Sequence, residues 1–159
     1  MPTAPVFFRP IHVIHIDDAL DVREVVRMLL ALPGYPNFVV HSFASLTEAV
    51  KAMDGRSTQQ ADCVLLDLRL TDSTGLDTLL KAVGIFGGVP IVVLTGGDDA
   101  DTDMACRLIH AGADFYLPKY YDLTRLLPLV VCQAVARKGR PIPPLAAAEA
   151  ALQVIREQQ

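Results

Sequence analysis

Cys63-Val64-Leu65-Leu66-Asp67 is the stretch on which the reading of this chain turns. Four apolar residues are too few for a helix but suit a strand buried on both faces, as in a parallel sheet held between helices. The run ends on a carboxylate. Leu68-Arg69-Leu70 and the turn-rich Thr71-Asp72-Ser73-Thr74-Gly75 then read as a loop leaving the strand. In open parallel sheets ligands bind beyond the carboxyl ends of the strands, so an acid at this point faces a potential site.

Strand and helix patterns alternate on either side of it. Upstream, Ile11 to Ile16 is β-branched and apolar with His12 and His15 interleaved, and it ends in Asp17-Asp18, which predicts the first strand. Val22, Val25, Val26, Leu29 and Leu30 recur at helical spacing until Pro33-Gly34. Asn37 to Phe43 is a second strand, and Ser45 caps a short helix over Leu46, Ala49, Val50 and Met53, with Glu48 in the capping-box position.

Downstream, a helix from about Gly75 to Val83 should turn Leu76, Leu79 and Leu80 inward before Gly84, Gly87 and Gly88 break it. Pro90 opens the apolar strand Ile91 to Leu94, which ends at Thr95-Gly96-Gly97. An acidic helix entry at Asp98-Asp99-Ala100-Asp101 leads to Ala111 and a stop at Gly112. Asp114 to Leu117 is the last strand, followed by Pro118-Lys119, and Asp122 starts a helix through about Arg137 with Pro128 in its early turns. Five such alternations argue for a parallel sheet covered on both faces by right-handed crossovers.

The expected organisation is an arm over residues 1–10, an α/β domain over 11–138, a stiff Pro-rich linker over 139–144 and an Ala-rich helix over 145–159. In that helix Leu145, Ala148, Leu152 and Ile155 follow the three- and four-residue steps of a coiled-coil seam, so a homodimer contact is one reading. Packing on its own domain, or being the stub of a longer chain, are the others.

A chain of 159 residues that is 52% hydrophobic has the material for one full core. The net charge of −4, with its basic residues scattered, argues against a nucleic-acid surface. No run approaches the roughly 20 apolar residues of a membrane span, and Met1-Pro2-Thr3-Ala4-Pro5 lacks a signal-peptide pattern, so a cytoplasmic protein is expected. Cys63, Cys106 and Cys132 form no CxxC unit and read as small buried hydrophobes. His12 and His15 lack a third ligand and read as satisfied or edge-exposed rather than metal-binding.

Parallel strands place Asp17-Asp18, Asp67, Thr95 and Lys119 on one edge of the sheet. Crowded carboxylates repel unless a cation intervenes, and Mg²⁺ fits because it takes hard oxygen ligands and keeps several waters. Asp18 and Asp67 are the best direct ligands, Asp17 acts through water, and the backbone carbonyl of Arg69 can supply another oxygen. A carboxylate flanked by Mg²⁺, the Lys119 ammonium and the Thr95 hydroxyl is arranged for covalent phosphoryl transfer, with Asp67 as nucleophile. Gly96 has no side chain to block the phosphate.

These residues resemble the receiver domain of two-component response regulators over about residues 11–137. The motifs are the acidic pair after strand one, LLDLRL around Asp67, Gly75 in the following loop, LTGG at Leu94–Gly97 and GADFYLPK at Gly112–Lys119. The resemblance implies a flavodoxin-like, doubly wound (βα)5 fold. It implies a Mg²⁺-dependent phosphoacceptor, Asp67, served by a sensor histidine kinase or a histidine phosphotransfer protein. Its only chemistry would be its own phosphorylation and dephosphorylation, and its output a downstream protein partner or a further domain. It also implies that the Thr95 hydroxyl is drawn to the phosphate and that Tyr116 follows. The chain departs from the family where Tyr120 follows Lys119 in place of the usual proline, and where Leu70-Thr71-Asp72 replaces a common proline in the loop after Asp67. Arg69 and Gly97 stand where the family tunes water access to the phosphate. Two other readings are a constitutive binding module and a haloacid-dehalogenase-like phosphatase. The latter's general acid would fall at Arg69.

Overall fold

The computed structural model describes residues 9–54, 61–96, 102–119 and 123–139. Within them five strands and five helices alternate: β1 (Ile11–Ile16), α1 (Leu20–Leu29), β2 (Phe38–Phe43), α2 (Leu46–Met53), β3 (Cys63–Asp67), α3 (Gly75–Ile85), β4 (Ile91–Thr95), α4 (Thr102–His110), β5 (Phe115–Pro118) and α5 (Leu123–Arg137). All strand pairs are parallel and the order is β2-β1-β3-β4-β5. The chain steps outward from β1 to β2, then returns to build β3, β4 and β5 on the other side. The direction therefore reverses between β1 and β3, where an open parallel sheet leaves a crevice at its carboxyl edge.

The side-chain alternation of the strands sorts the core into two layers. Ile11 and Val13 of β1 join Val26 and Leu29 of α1 and Leu127, Val131 and Val135 of α5. Ile14 and Ile16 join Leu46 and Ala49 of α2, Leu79 and Ala82 of α3 and Leu108 of α4. Every residue of β3 and β4 is buried, as expected of central strands covered on both faces. At the amino edge carboxylates accept from strand N–H groups: the second donor of β1, His12, goes to Asp62 (2.8 Å) and the first of β4, Ile91, to Asp114 (2.9 Å).

Helix ends follow local chemistry. The Glu48 N–H donates to Ser45 Oγ (3.1 Å), while the Glu48 carboxylate accepts from the Ala44 N–H (3.0 Å), one residue before the donor of a standard capping box. Gly112 leaves α4 with φ 115°, a left-handed conformation, and an added Cβ there would meet Val83 at 3.0 Å.

Several expectations differ from the structure. Leu76 and Leu80 are exposed, and α3 instead buries Thr78, Leu79 and Ala82 and runs through Gly84 to Ile85. One glycine costs a helix only about 1 kcal/mol, which the packing of Ala82 and Phe86 offsets. Val25 and Val50 also face outward, and Cys106 is exposed on α4 whereas Cys63 and Cys132 are buried. His15 is fully buried with no hydrogen-bond partner for either ring nitrogen among the described residues, so it is neither satisfied nor at an edge. Most of the arm and linker, the helix expected over 145–159, the Asp98-Asp99 helix entry, Gly97, Tyr120 and Asp122 lie outside the described residues.

Candidate functional site at the carboxyl edge of the sheet

The ends of β1 and β3 meet where the winding reverses. There Asp17 is wholly buried, Asp67 is 5% exposed and Asp18 faces solvent. One carboxylate oxygen from each lies within 4.8 Å of the others. The Ala19 N–H donates to Asp17 (2.9 Å) and the Arg69 N–H to Asp67 (3.3 Å), which orients both acids from their own following loops. Lys119, just beyond β5, puts its ammonium 2.8 Å from Asp17 and 3.4 Å from Asp67. Its N–H also donates to the Thr95 carbonyl (2.6 Å), tying the lysine to the end of β4.

Electrostatics follow from this crowding. Burial, and then repulsion by Asp17, raise the Asp67 carboxyl above its ordinary value even though Lys119 and the Arg69 N–H favour the charged form. Burial alone would lower Lys119, but the close contact and charge of Asp17, with Asp67 behind it, outweigh burial and raise it. Three carboxylates facing a single ammonium leave net negative charge in a partly enclosed site. That donor set of hard oxygens fits a hydrated Mg²⁺ better than a soft metal.

Thr95 is 2% exposed, and its hydroxyl has no hydrogen-bond partner among the described residues. A buried donor without a partner is costly, so this hydroxyl has bonding capacity to offer at the strand end. Gly96 follows directly, half-buried. Tyr116 sits on β5 in register with Val93, half-buried against the layer formed by α2, α3 and α4. The structure thus brings Asp17, Asp18, Asp67, Thr95 and Lys119 together at one edge. Arg69 is two residues along the loop, and Tyr116 is set back along β5.

Two contacts escaped the sequence reading. Arg23, on the first turn of α1, donates to the Asp17 carbonyl (2.6 Å) and anchors the acidic loop. Its signal was its place on the turn after the acids, where helical side chains lean back toward the N-terminus. Asp72 accepts from both the Thr47 N–H (3.1 Å) and hydroxyl (2.8 Å), tying the loop after Asp67 to the start of α2. A slight loss of hydration opposes them, yet those bonds hold the exposed Asp72 carboxyl below its ordinary range. Inside that loop Leu68 and Leu70 are buried, the Leu70 N–H donates to the Ser73 carbonyl (2.9 Å), and the Gly75 N–H closes onto Leu68 (2.7 Å). The stiffness that a proline would give is supplied here by hydrogen bonds.

Known proteins resemble this chain in sequence and in fold. Response regulator MprA of Mycobacterium tuberculosis is 30% identical over 131 residues, 82% of this chain and 53% of that protein. MprA of a Mycobacterium species is 31% identical over 132 residues, 83% of this chain and 53% of the relative. The chain therefore spans about half the length of the curated relatives it matches. Among solved structures, a receiver domain protein from Clostridium thermocellum superimposes with a TM-score of 0.67 at 26% identity, covering 81% of this chain and 97% of that one. A CheY-like receiver domain protein from Methanospirillum hungatei gives 0.67 at 21% identity, covering 82% and 98%, a likeness of fold alone. The sequence model of the response regulator receiver domain matches residues 13–131, and with a five-stranded parallel sheet in flavodoxin-like order the chain belongs to the response regulator receiver domain family.

Proposed function

We propose that the chain is a phosphoacceptor in a two-component relay, modified on Asp67 by a histidine kinase or a histidine phosphotransfer protein. The observation that carries this reading is the convergence on one edge of three carboxylates, an ammonium bridging two of them, and a buried hydroxyl with no partner among the described residues. An Asp67 oxygen attacks the phosphorus of a phosphohistidine, the P–N bond breaks, and its electron pair returns to the imidazole. Asp18 and Asp67, with Asp17 through water and the Arg69 carbonyl, would hold Mg²⁺, which would neutralise charge on the phosphoryl oxygens. Lys119 keeps its proton throughout and moves from the two carboxylates toward a phosphoryl oxygen. Thr95 donates its hydroxyl to another oxygen, and Gly96 leaves room for the group.

Phosphorylation then biases an existing equilibrium of the β4, α4 and β5 face through Thr95 and Tyr116, which a protein partner or output domain reads. Incubating the chain with Mg²⁺ and a small phosphodonor should add one phosphoryl mass that Asp67→Asn abolishes. Unchanged labelling in that variant refutes the assignment. Amide NMR shifts confined to the Asp67 pocket after phosphorylation would refute the switching reading and leave a constitutive binding module.

A further inference from the structure

The register of β1 and β2 brings together two histidines that no sequence spacing links. Ile14 pairs with His41, and His12 lies two residues before Ile14, so both imidazoles stand on the same face of the sheet as diagonal neighbours. Their planes lie within 10° of parallel with centroids 5.5 Å apart, and His12 Nδ1 stands 3.2 Å from His41 Nε2. His12 is half-buried and His41 exposed, so the pair stands at the surface of the edge strand. Asp62 holds the His12 backbone by accepting its N–H at 2.8 Å, which steadies one of the two rings.

We infer that His12 and His41 form a two-nitrogen site for a borderline divalent metal of the Zn²⁺ class, separate from the acidic cluster at the carboxyl edge. Two imidazole nitrogens each about 2.0–2.1 Å from a tetrahedral zinc stand about 3.3 Å apart, close to the observed separation. Imidazole donors suit zinc, nickel and copper, whereas Mg²⁺ keeps to oxygen, so the two sites sort ions by ligand chemistry. In the metal-free pair one ring donates its N–H to the other. On binding, that proton moves through solvent to the second nitrogen of its own ring, and both rings turn off the line between them so that the two lone pairs converge on the metal. Waters complete the coordination. The consequence is a cross-link between the edge strand β2 and the interior strand β1.

The test is a Zn²⁺ titration of the full chain in saturating Mg²⁺, read from the ring nitrogen resonances of the four histidines. His12 and His41 should move together along one saturating curve while His110 stays fixed. Either His12→Gln or His41→Gln should weaken binding by about tenfold or more, since one imidazole alone holds the ion poorly. Zinc should also raise the thermal midpoint of the wild type and of Asp67→Asn, and fail to do so in His41→Gln. Unmoved His12 and His41 resonances up to millimolar Zn²⁺, or the same curve in the wild type and both variants, would overturn the inference.

Discussion

At Lys119 one ammonium serves two carboxylates, Asp17 and Asp67, and the arrangement has a measurable cost if it is broken. Lys119→Ala leaves both acids repelling in a poorly hydrated pocket. Chemical denaturation in metal-free buffer at neutral pH should therefore show a loss of about 3 kcal/mol, and Mg²⁺ should recover part of it. Because Lys119 is raised, its contribution is complete below the ordinary lysine value near pH 10.4 and is lost only as pH rises beyond that. Sensitivity to mild acid must come from elsewhere, and between pH 7 and pH 5 His15 contributes it, the lowered Asp72 acting only at lower pH. Burial lowers that ring to about 4, with the charge of Asp17 opposing, so the native state stays neutral where the unfolded chain takes up a proton. Between pH 7 and pH 5 this should remove about 2 kcal/mol of stability, a slope that His15→Leu abolishes in paired denaturation curves. The raised Asp67 acts in the opposite direction and is common to both proteins, so it cancels in the comparison. Asp17, Asp67 and Thr95 were legible because each ends an apolar run. That His15 would lie 3.9 Å from Asp17 with no hydrogen-bond partner among the described residues was not, since a residue type says nothing of which partners surround it.

Among the elements, the loop between β3 and α3 is held by Asp72 on Thr47 rather than by its own sequence. Asp72→Ala frees the Thr47 N–H at the start of α2 and should cost about 1 kcal/mol, the usual worth of a lost N-terminal cap. Thr47→Val keeps the backbone bond and should cost less, and a larger loss in Thr47→Val than in Asp72→Ala would sink this account. Helix positions were readable from periodicity, but their inner faces were read too broadly. Leu76 and Leu80 matched the helical period as well as Leu79 did, yet they lie on a flank of α3 that stays exposed among the described residues. Period identifies a stripe. How wide a stripe is buried depends on how close the adjacent helices stand.

For the whole molecule, the sheet order sets a gradient of stability. β3 and β4 are buried throughout, whereas no residue of β2 is fully buried and the strand pairs on one side only. Native-state hydrogen exchange should find β2 amides exchanging faster than those of β1, β3 and β4, through local opening of the edge. Equal protection in β2 would contradict this. Saturating Zn²⁺ should slow β2 specifically if His12 and His41 share the ion. Among the described residues no helix is long and apolar enough to cross a membrane.

The alternation of buried runs and amphipathic stretches determined the (βα)5 plan, because burying each apolar face admits few parallel arrangements. The carboxyl-edge site was implicit in the same reading, since in a parallel sheet every strand delivers its last residue to one side. The tertiary structure decided what depends on register and distance. It set Lys119 between two particular acids, left the Thr95 hydroxyl without a partner among the described residues, and tied Asp72 to Thr47. It also placed His12 beside His41. Such pairings arise between residues remote in sequence, and only the stagger of neighbouring strands and the seating of helices on them determine which side chains meet.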